Sequence, residues 1–415
     1  MRFIAVLCLV SLASQFGSAQ QKPQPTSVTV PATIDHNRVL IDVEVPAQNG
    51  ATKRVRAWVD NGNPELEISQ SLVKSLDLGG VCGGQTCAAT APAGITIGGL
   101  AISFGDVKQA KVPVGPNEPL ARGLDADINI PSTILRHYDV LIDYPGRKFT
   151  IGAPGSIHFL GSAGKVHINA GNGLIQVPSK IADKKYNLAL DLGSSISFLS
   201  EELFSTLATA HPDWPHMTGA VGAASMWGAD EETKWQVMRL DRVQFGPLFL
   251  TDVPMASLPK ATLDFFEKRA AMPTIGLIGA NILQNYRVGL DYAHSTVYFD
   301  IGRLYNFPDF DVIGLFLRPE NDGRFTILGV ADFEGKPSVP TGPEGIQAGD
   351  TLVAINDIPV HGSTMGQVWS LLGGTPGQER KLTIERAGKQ FVVSATVQHF
   401  LPAASGEDEK KKRKK

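Results

Sequence analysis

The chain has 415 residues, 43% of them apolar and 19% charged, with a formal net charge of −3. That near-neutral balance offers no basic face for nucleic acid. The length is enough for two to four domains, and Gly at 43 and Pro at 27 positions point to many turns and short strands.

Residues 1–19 carry Arg2, the apolar run FIAVLCLV, and Gly17-Ser18-Ala19 before Gln20. This pattern predicts a secretory signal peptide with a small-residue cleavage site, so the mature protein is expected to be secreted or periplasmic. Cys8 lacks the small residues that would precede a lipidated cysteine. No other apolar run reaches the roughly 18 residues of a membrane span.

Residues 27–60 alternate with the strand period at Val28, Val30, Val39, Ile41, Val43, Val45, Val55, Ala57 and Val59. Asn49-Gly50 marks a hairpin turn. The run ends at Asp60-Asn61-Gly62, and Ser69 to Leu78 predicts a short helix with Ser69 as N-cap. Cys82 and Cys87, in CGGQTC, are the pair left once the signal is removed. In an oxidising compartment they predict a small disulfide loop, and a metal site would need more ligands than this stretch supplies. Further strands are expected over 88–131.

The order repeats from Lys165. Tyr186 to Ser200 reads YNLALDLGSSISFLS: an apolar run stopped by Asp191, then Gly193, Ser194 and Ser195, then another apolar run. A carboxylate between two buried strands is costly unless it is hydrogen-bonded or has a task, although an Asp opening a plain β-turn is common. The glycine permits a sharp turn, and the serines offer hydroxyls to the carboxylate. Ser200 is placed to cap a helix through Leu203 and Leu207. Gly219 to Gly228, then Lys234 to Val243, reads as a long hairpin with Trp227 near its tip.

The Asp191 stretch has a counterpart 131 residues earlier, AWVDNGNPELEISQSL from Ala57, which superposes Asp60 on Asp191 and Gly62 on Gly193. Downstream, ILRHYDVLIDYPGRKFTIG from Ile134 matches ILQNYRVGLDYAHSTVYFDIG from Ile282, with Tyr138, Asp143 and Tyr144 each 148 residues before their partners Tyr286, Asp291 and Tyr292. Repeated blocks in one order are a statement about architecture: two lobes of like topology, each presenting one Asp-x-Gly turn.

At these residues the chain resembles the aspartic proteases of the pepsin and retropepsin type, most of all the retropepsin-like proteases of bacteria, over roughly residues 27–303. The resemblance implies a mainly β fold, bilobal and internally duplicated, with lobes at 27–155 and 163–303. It implies Asp60 and Asp191 as a catalytic pair, with Asn61, Gly62, Gly193, Ser194 and Ser195 supporting the turns. Like charges about 3 Å apart cannot both ionise, so such a pair shares one proton. The ionised member then takes a proton from a water while the other hydrogen-bonds the scissile carbonyl, with no metal or cofactor. In the family a hairpin closes over the cleft; the 219–243 segment is either that or an ordinary surface hairpin.

Four departures bear on activity. The family's turn is Asp-Thr-Gly or Asp-Ser-Gly, and its hydroxyl crosses to the other lobe; here Asn61 can still donate and accept, but Leu192 cannot. Lobe two keeps the hydrophobic-hydrophobic-Gly motif as Leu277-Ile278-Gly279, whereas lobe one has Asn129-Ile130-Pro131. Asn63 and Pro64 replace the two serines in lobe one. The resemblance therefore supports two readings, an endopeptidase acting on peptide or protein substrates, and a catalytically impaired pseudoprotease that binds peptides. A monomer suffices for either, since both lobes lie in one chain.

After a linker at 304–309, residues 310–399 resemble a PDZ domain, a small β-sandwich or barrel. Gly345 to Asp350 followed by Leu352-Val353-Ala354-Ile355-Asn356 carries most of the likeness, with a helix expected over Thr364 to Leu372. Ile313, Gly314, Leu315 and Phe316 stand where that family's carboxylate-binding loop lies, which implies a C-terminal peptide ligand joining the sheet edge. The alternative is a domain that only packs against the lobes. The tail 405–415 is a charge run expected to be disordered. The histidines form no spaced metal set, His294 is expected in a solvated turn, and Ser194-Ser195 lacks the Gly-x-Ser-x-Gly elbow of a hydrolase nucleophile.

Overall fold

The computed structural model describes residues 25–47, 50–83, 86–113, 120–302 and 310–402. The signal peptide, Asn49, the 304–309 linker and the charged tail lie outside them.

The fold is mainly β and bilobal. A six-stranded sheet joins the lobes in the order Ser27–Pro31, Lys148–Gly152, Asp139–Asp143, Tyr286–Asp291, Thr296–Ile301, Ser162–Lys165. Its two central strands run antiparallel with Leu141 opposite Gly289, Asp139 opposite Asp291 and Asp143 opposite Arg287. Leu141 and Gly289 are 148 residues apart, the same spacing as the sequence blocks from Ile134 and Ile282. The apolar faces of this sheet and of both lobes fuse into one core, including Val140, Ile142, Phe149, Val288, Leu290 and Phe299.

In lobe one, strand Thr52–Asp60 lies between Arg38–Pro46 and the parallel strand Ile128–Pro131. In lobe two, Lys184–Leu190 lies between Ile175–Ile181 and the parallel strand Gly276–Ile278. One bridge recurs at the same offsets: Ile68 opposes Ile128 and Leu199 opposes Gly276, both antiparallel. Each Asp turn therefore leaves the C-terminal end of a strand held on both sides. The Ser69 and Ser200 side chains cap helices Gln70–Leu76 and Glu201–Ala210 as expected.

Residues 219–243 do not form the long hairpin expected from their glycines. Only His216–Thr218 pairs with the start of Gln236–Phe245, and the long hairpin partner of that strand is Leu248–Leu258. Between them the chain folds back through two short helical turns, Gly222–Ala224 and Asp230–Lys234, with Ala220, Val221, Ala223, Ala224 and Met226 buried. The carboxylate of Glu232 holds this fold-back together, accepting from the N–H groups of Met226, Trp227 and Gly228 and from the Ser225 hydroxyl. Trp227 is partly exposed and stacks parallel to Phe198.

The C-terminal unit is a six-stranded sheet: Leu315–Pro319, Phe325–Val330, Thr351–Ile355, Glu379–Arg386 and Lys389–Thr396 lie in that order, Ile358–Pro359 pairs with Thr351–Ile355, and helix Met365–Leu372 packs on it. Thr364 and Gln367 form a reciprocal capping box at the start of that helix. Its core is continuous with the lobe-two fold-back. Gly219 lies against the Phe316 ring, and Gly228 presses on the backbone of Leu317 and Arg318. On the other side, Met365 N–H donates to Gly123 O and Gly366 N–H to the Asp35 carboxylate. The unit thus grips both lobes.

Candidate active site

Asp60 closes strand Thr52–Asp60, and Asp191 follows Lys184–Leu190 with its N–H bonded to Ile278 O at 3.0 Å. The two turns meet face to face. A Cβ placed on Gly62 would collide with the Asp191 carboxyl, and one placed on Gly193 would collide with the Asp60 carboxyl. Each glycine is therefore the space into which the other lobe's aspartate fits.

The turns are locked by one side chain. Asn61 Nδ2 donates to Leu190 O at 2.9 Å, and Asn61 Oδ1 accepts from Leu192 N–H at 2.7 Å. An amide carries a donor and an acceptor at fixed separation, so one residue makes both cross-lobe bonds. Leu192 makes no reciprocal bond; its side chain is fully buried in the core.

The support behind each turn differs in kind. In lobe two, Gly279 packs against the carbonyls of Ile196 and Ser194, where a Cβ would not fit. In lobe one, Pro131 pairs with Asp60, and the bond from Ser132 N–H to Asn63 O reproduces the one from Ala280 N–H to Ser194 O. Asn129, fully buried, accepts from Glu67 N–H and donates to Glu65 O. Lobe one thus replaces the lost glycine and serines with backbone and amide bonds.

The serines take a different part from that expected. Ser194 contributes its N–H to Asp191 Oδ1, beside Gly193 N–H at 2.8 Å. Its hydroxyl goes to Ile196 O, and the Ser195 hydroxyl to Ala223 O. Neither hydroxyl reaches a carboxylate.

Both aspartates are buried, Asp60 at 4% and Asp191 at 6% exposure. Burial, then the charge of Asp191 and of Glu67, pushes the Asp60 carboxyl well above the ordinary range, against the pull of Arg38 and Gly62 N–H. Burial likewise pushes Asp191 up, to about 6, against the Gly193 and Ser194 N–H groups and Arg38. Two buried carboxyls meeting in one site disfavour double ionisation, and both are pushed above the ordinary carboxylate range.

Arg38 carries no signal in a strand pattern, yet it lies beside this pair. It opens strand Arg38–Pro46 after the tight turn His36-Asn37, whose residues both have positive φ. That turn reaches into lobe two: His36 Nε2 lies 3.1 Å from Gly222 O, Asn37 Nδ2 donates to Ser195 O, and Arg38 Nη2 donates to Met226 O at 2.7 Å. Counting the hairpin register back from Asp60 would have found it.

The other sequence-derived candidates resolve as follows. Cys82 and Cys87 stand opposite each other in the ladder, and Cys87 is disulfide-bonded; the Cys82 side chain lies outside the described ones. His294 is exposed but bonds the Asp291 carboxylate through Nδ1. Among the described residues no group of His, Cys, Asp and Glu could hold a metal. No described helix is long and apolar enough to cross a membrane.

Two N–H groups of the Ile313 to Phe316 loop are already paired. Ile313 N–H is spent on Leu372 O and Leu315 N–H on Ile313 O, and Ile313, Leu315 and Phe316 are buried. Carboxylate capture needs unspent N–H groups, and the free edge of strand Leu315–Pro319 faces the fold-back at Gly228. Gly219 and Gly228 of the lobe-two fold-back pack beside this loop, against the Phe316 ring and the Leu317–Arg318 backbone.

No family model matches the chain, and no curated protein matches it. Among solved structures, the aspartic proteinase from Irpex lacteus aligns over 66% of this chain and 97% of its own, with a TM-score of 0.40 and 12% identity. At that distance, what the aspartate pair does rests on its own geometry.

Proposed function

We propose that the chain is an aspartic-type endopeptidase in which Asp60 and Asp191 activate one water for attack on a peptide bond. The observation that carries this reading is the reciprocal fit of each carboxyl into the other turn's glycine, with both carboxyls raised by burial. With one proton between them, the ionised carboxylate accepts a proton from the water as its oxygen bonds the carbonyl carbon. The protonated carboxyl hydrogen-bonds the carbonyl oxygen and transfers its proton to it, giving a gem-diol. Collapse breaks the C–N bond: the carboxyl that took the water's proton gives it to the amine, and the other carboxylate accepts a gem-diol hydroxyl proton, so the pair again holds one proton. Export by residues 1–19, action as a monomer, and the domain limits 27–155, 163–303 and 310–399 belong to the same proposal.

A second reading has its own support. The side chain of Leu192 is buried in the core and returns no bond to the Asn61 lock between the turns. A pseudoprotease would keep the paired turns with this incomplete lock and hold a peptide without turnover. Incubation with a broad peptide library from about pH 3 to 8, with Asp191→Asn as blank, separates the two. Cleavage by the wild type alone supports the peptidase; binding without cleavage leaves the second reading.

A further inference from the structure

The register of the lobe-one hairpin places Leu40 opposite Trp58. Carrying it two residues further sets Arg38 opposite Asp60, and directly opposed residues of an antiparallel pair project from the same face. The guanidinium carbon lies 5.4 Å from the Trp58 ring centroid, and Trp58 in turn lies under Gly193. Arg38 is 1% exposed, its Nε has no partner, and Nη2 is tied to Met226 O in the other lobe. A buried cation is retained only where charge compensates it.

We propose that Arg38 is a positioning residue for the aspartate pair: its buried guanidinium, opposite Asp60 and tethered across the cleft to lobe two, keeps the pair singly charged further into acid than two buried carboxyls would otherwise remain. This deepens the peptidase reading and rests on it for its catalytic consequence. The charged and titratable groups around the pair are few. Asp35 and His36 come from the hairpin turn, Glu67 from the segment after the Asp60 turn, Tyr144 from the end of the central sheet, and Glu232 from the fold-back. Burial keeps His36 and Tyr144 neutral, the imidazole pushed down to about 3 and the phenol pushed up. Arg38 is thus the cation facing a set of four acids besides Glu67: Asp35, Asp60, Glu232 and Asp191.

The sign follows directly. A nearby cation favours the anionic form, so removing it raises both ionisations of the pair; an opposite charge at close range is worth roughly one to three units. Arg38→Gln keeps a donor for Met226 O but loses the charge, while Arg38→Lys keeps the charge. The acid limb of kcat/KM is expected to move up by about one unit or more in Arg38→Gln and to stay in place in Arg38→Lys. The same titrations read by 13C NMR of labelled aspartates, assigned with Asp60→Asn and Asp191→Asn, need no turnover. They therefore separate failure of this proposal from failure of the peptidase reading. Should Arg38→Gln not fold, the guanidinium 15N resonances of Arg38 in the wild-type protein are expected to titrate in step with the pair. An unmoved pair in folded Arg38→Gln, or Arg38 resonances flat across the pair's titration, overturns it.

Discussion

The two Asp turns have one topology and unequal means. Asp191 sits in a turn whose neighbours are small, with Gly279 and Ser194 packed close, and it receives two backbone N–H bonds. Asp60 sits in a turn that has lost those residues, yet Asn61, Asn129 and the Asn63 carbonyl rebuild its support. Between the residues that follow the two aspartates the side-chain lock comes from Asn61, and Leu192 returns none. What is preserved between the repeats is the position of backbone bonds, and the side chains that secure them are free to differ. The sharpest asymmetry is Arg38, which lobe one sends across to the lobe-two fold-back.

Breaking the pair has the largest expected effect. Asp60→Asn and Asp191→Asn should each lower kcat/KM by about a thousandfold or more while leaving the fold intact, because each removes one half of the acid–base partnership. Equal losses in the single and double variants would show that the lobes act as one unit. Next come the glycines. Gly62→Ala and Gly193→Ala push a methyl into the opposite carboxyl, and a displacement of about 1 Å is enough for roughly a hundredfold loss. A crystal structure of either variant checks the displacement.

Much of this was legible because the sequence states it twice. A single Asp-x-Gly turn is ambiguous, but two copies at matched spacing define lobes, strands and the facing aspartates together. Asn61 was readable from its donor and acceptor, since only the choice of partners required the fold. The fold-back at 219–234 was not, because its glycines suggest an exposed hairpin while their actual partners, Phe316 and Leu317, lie some ninety residues onward. At Ile313 likewise, a local motif says nothing of which N–H groups other residues have already taken. Glu232 stands in the charged run Asp230-Glu231-Glu232 and Arg38 follows the polar Asp35-His36-Asn37, so both look like surface residues, and their weight comes from burial that no local pattern reveals.

The lock between the lobes is tested by stability. Asn61→Ala strands the Leu190 carbonyl and the Leu192 N–H in the interior and should cost roughly 4 kcal/mol, counting each unpaired buried group. Leu192→Thr buries a hydroxyl in an apolar site and shortens the side chain, so it should destabilise by about 2 kcal/mol without raising activity. Denaturant unfolding compares the two, and a more active Leu192→Thr would mean that the missing second lock limits catalysis.

The last contrast concerns the fold-back, for which lobe one has no counterpart. Burial raises Glu232 to about 7, against the four donors that hold it. A carboxyl raised on folding stabilises most below its ordinary titration, and that contribution is lost as pH rises through the folded value. Between about pH 4.5 and 7 the wild type should therefore lose up to about 3 kcal/mol through this group, and Glu232→Gln should flatten that slope. Thermal unfolding across this range checks it.

Affinity for a statine-containing peptide probes the central claim, that Asp60 and Asp191 form one water-activating pair, most directly. The hydroxyl of this mimic occupies the place of the attacking water and requires both carboxyls at once, whatever the natural substrate. Wild-type protein is predicted to bind it at least a hundredfold more tightly than either Asp60→Asn or Asp191→Asn. Equal affinity in all three, with each variant folded, would contradict the account.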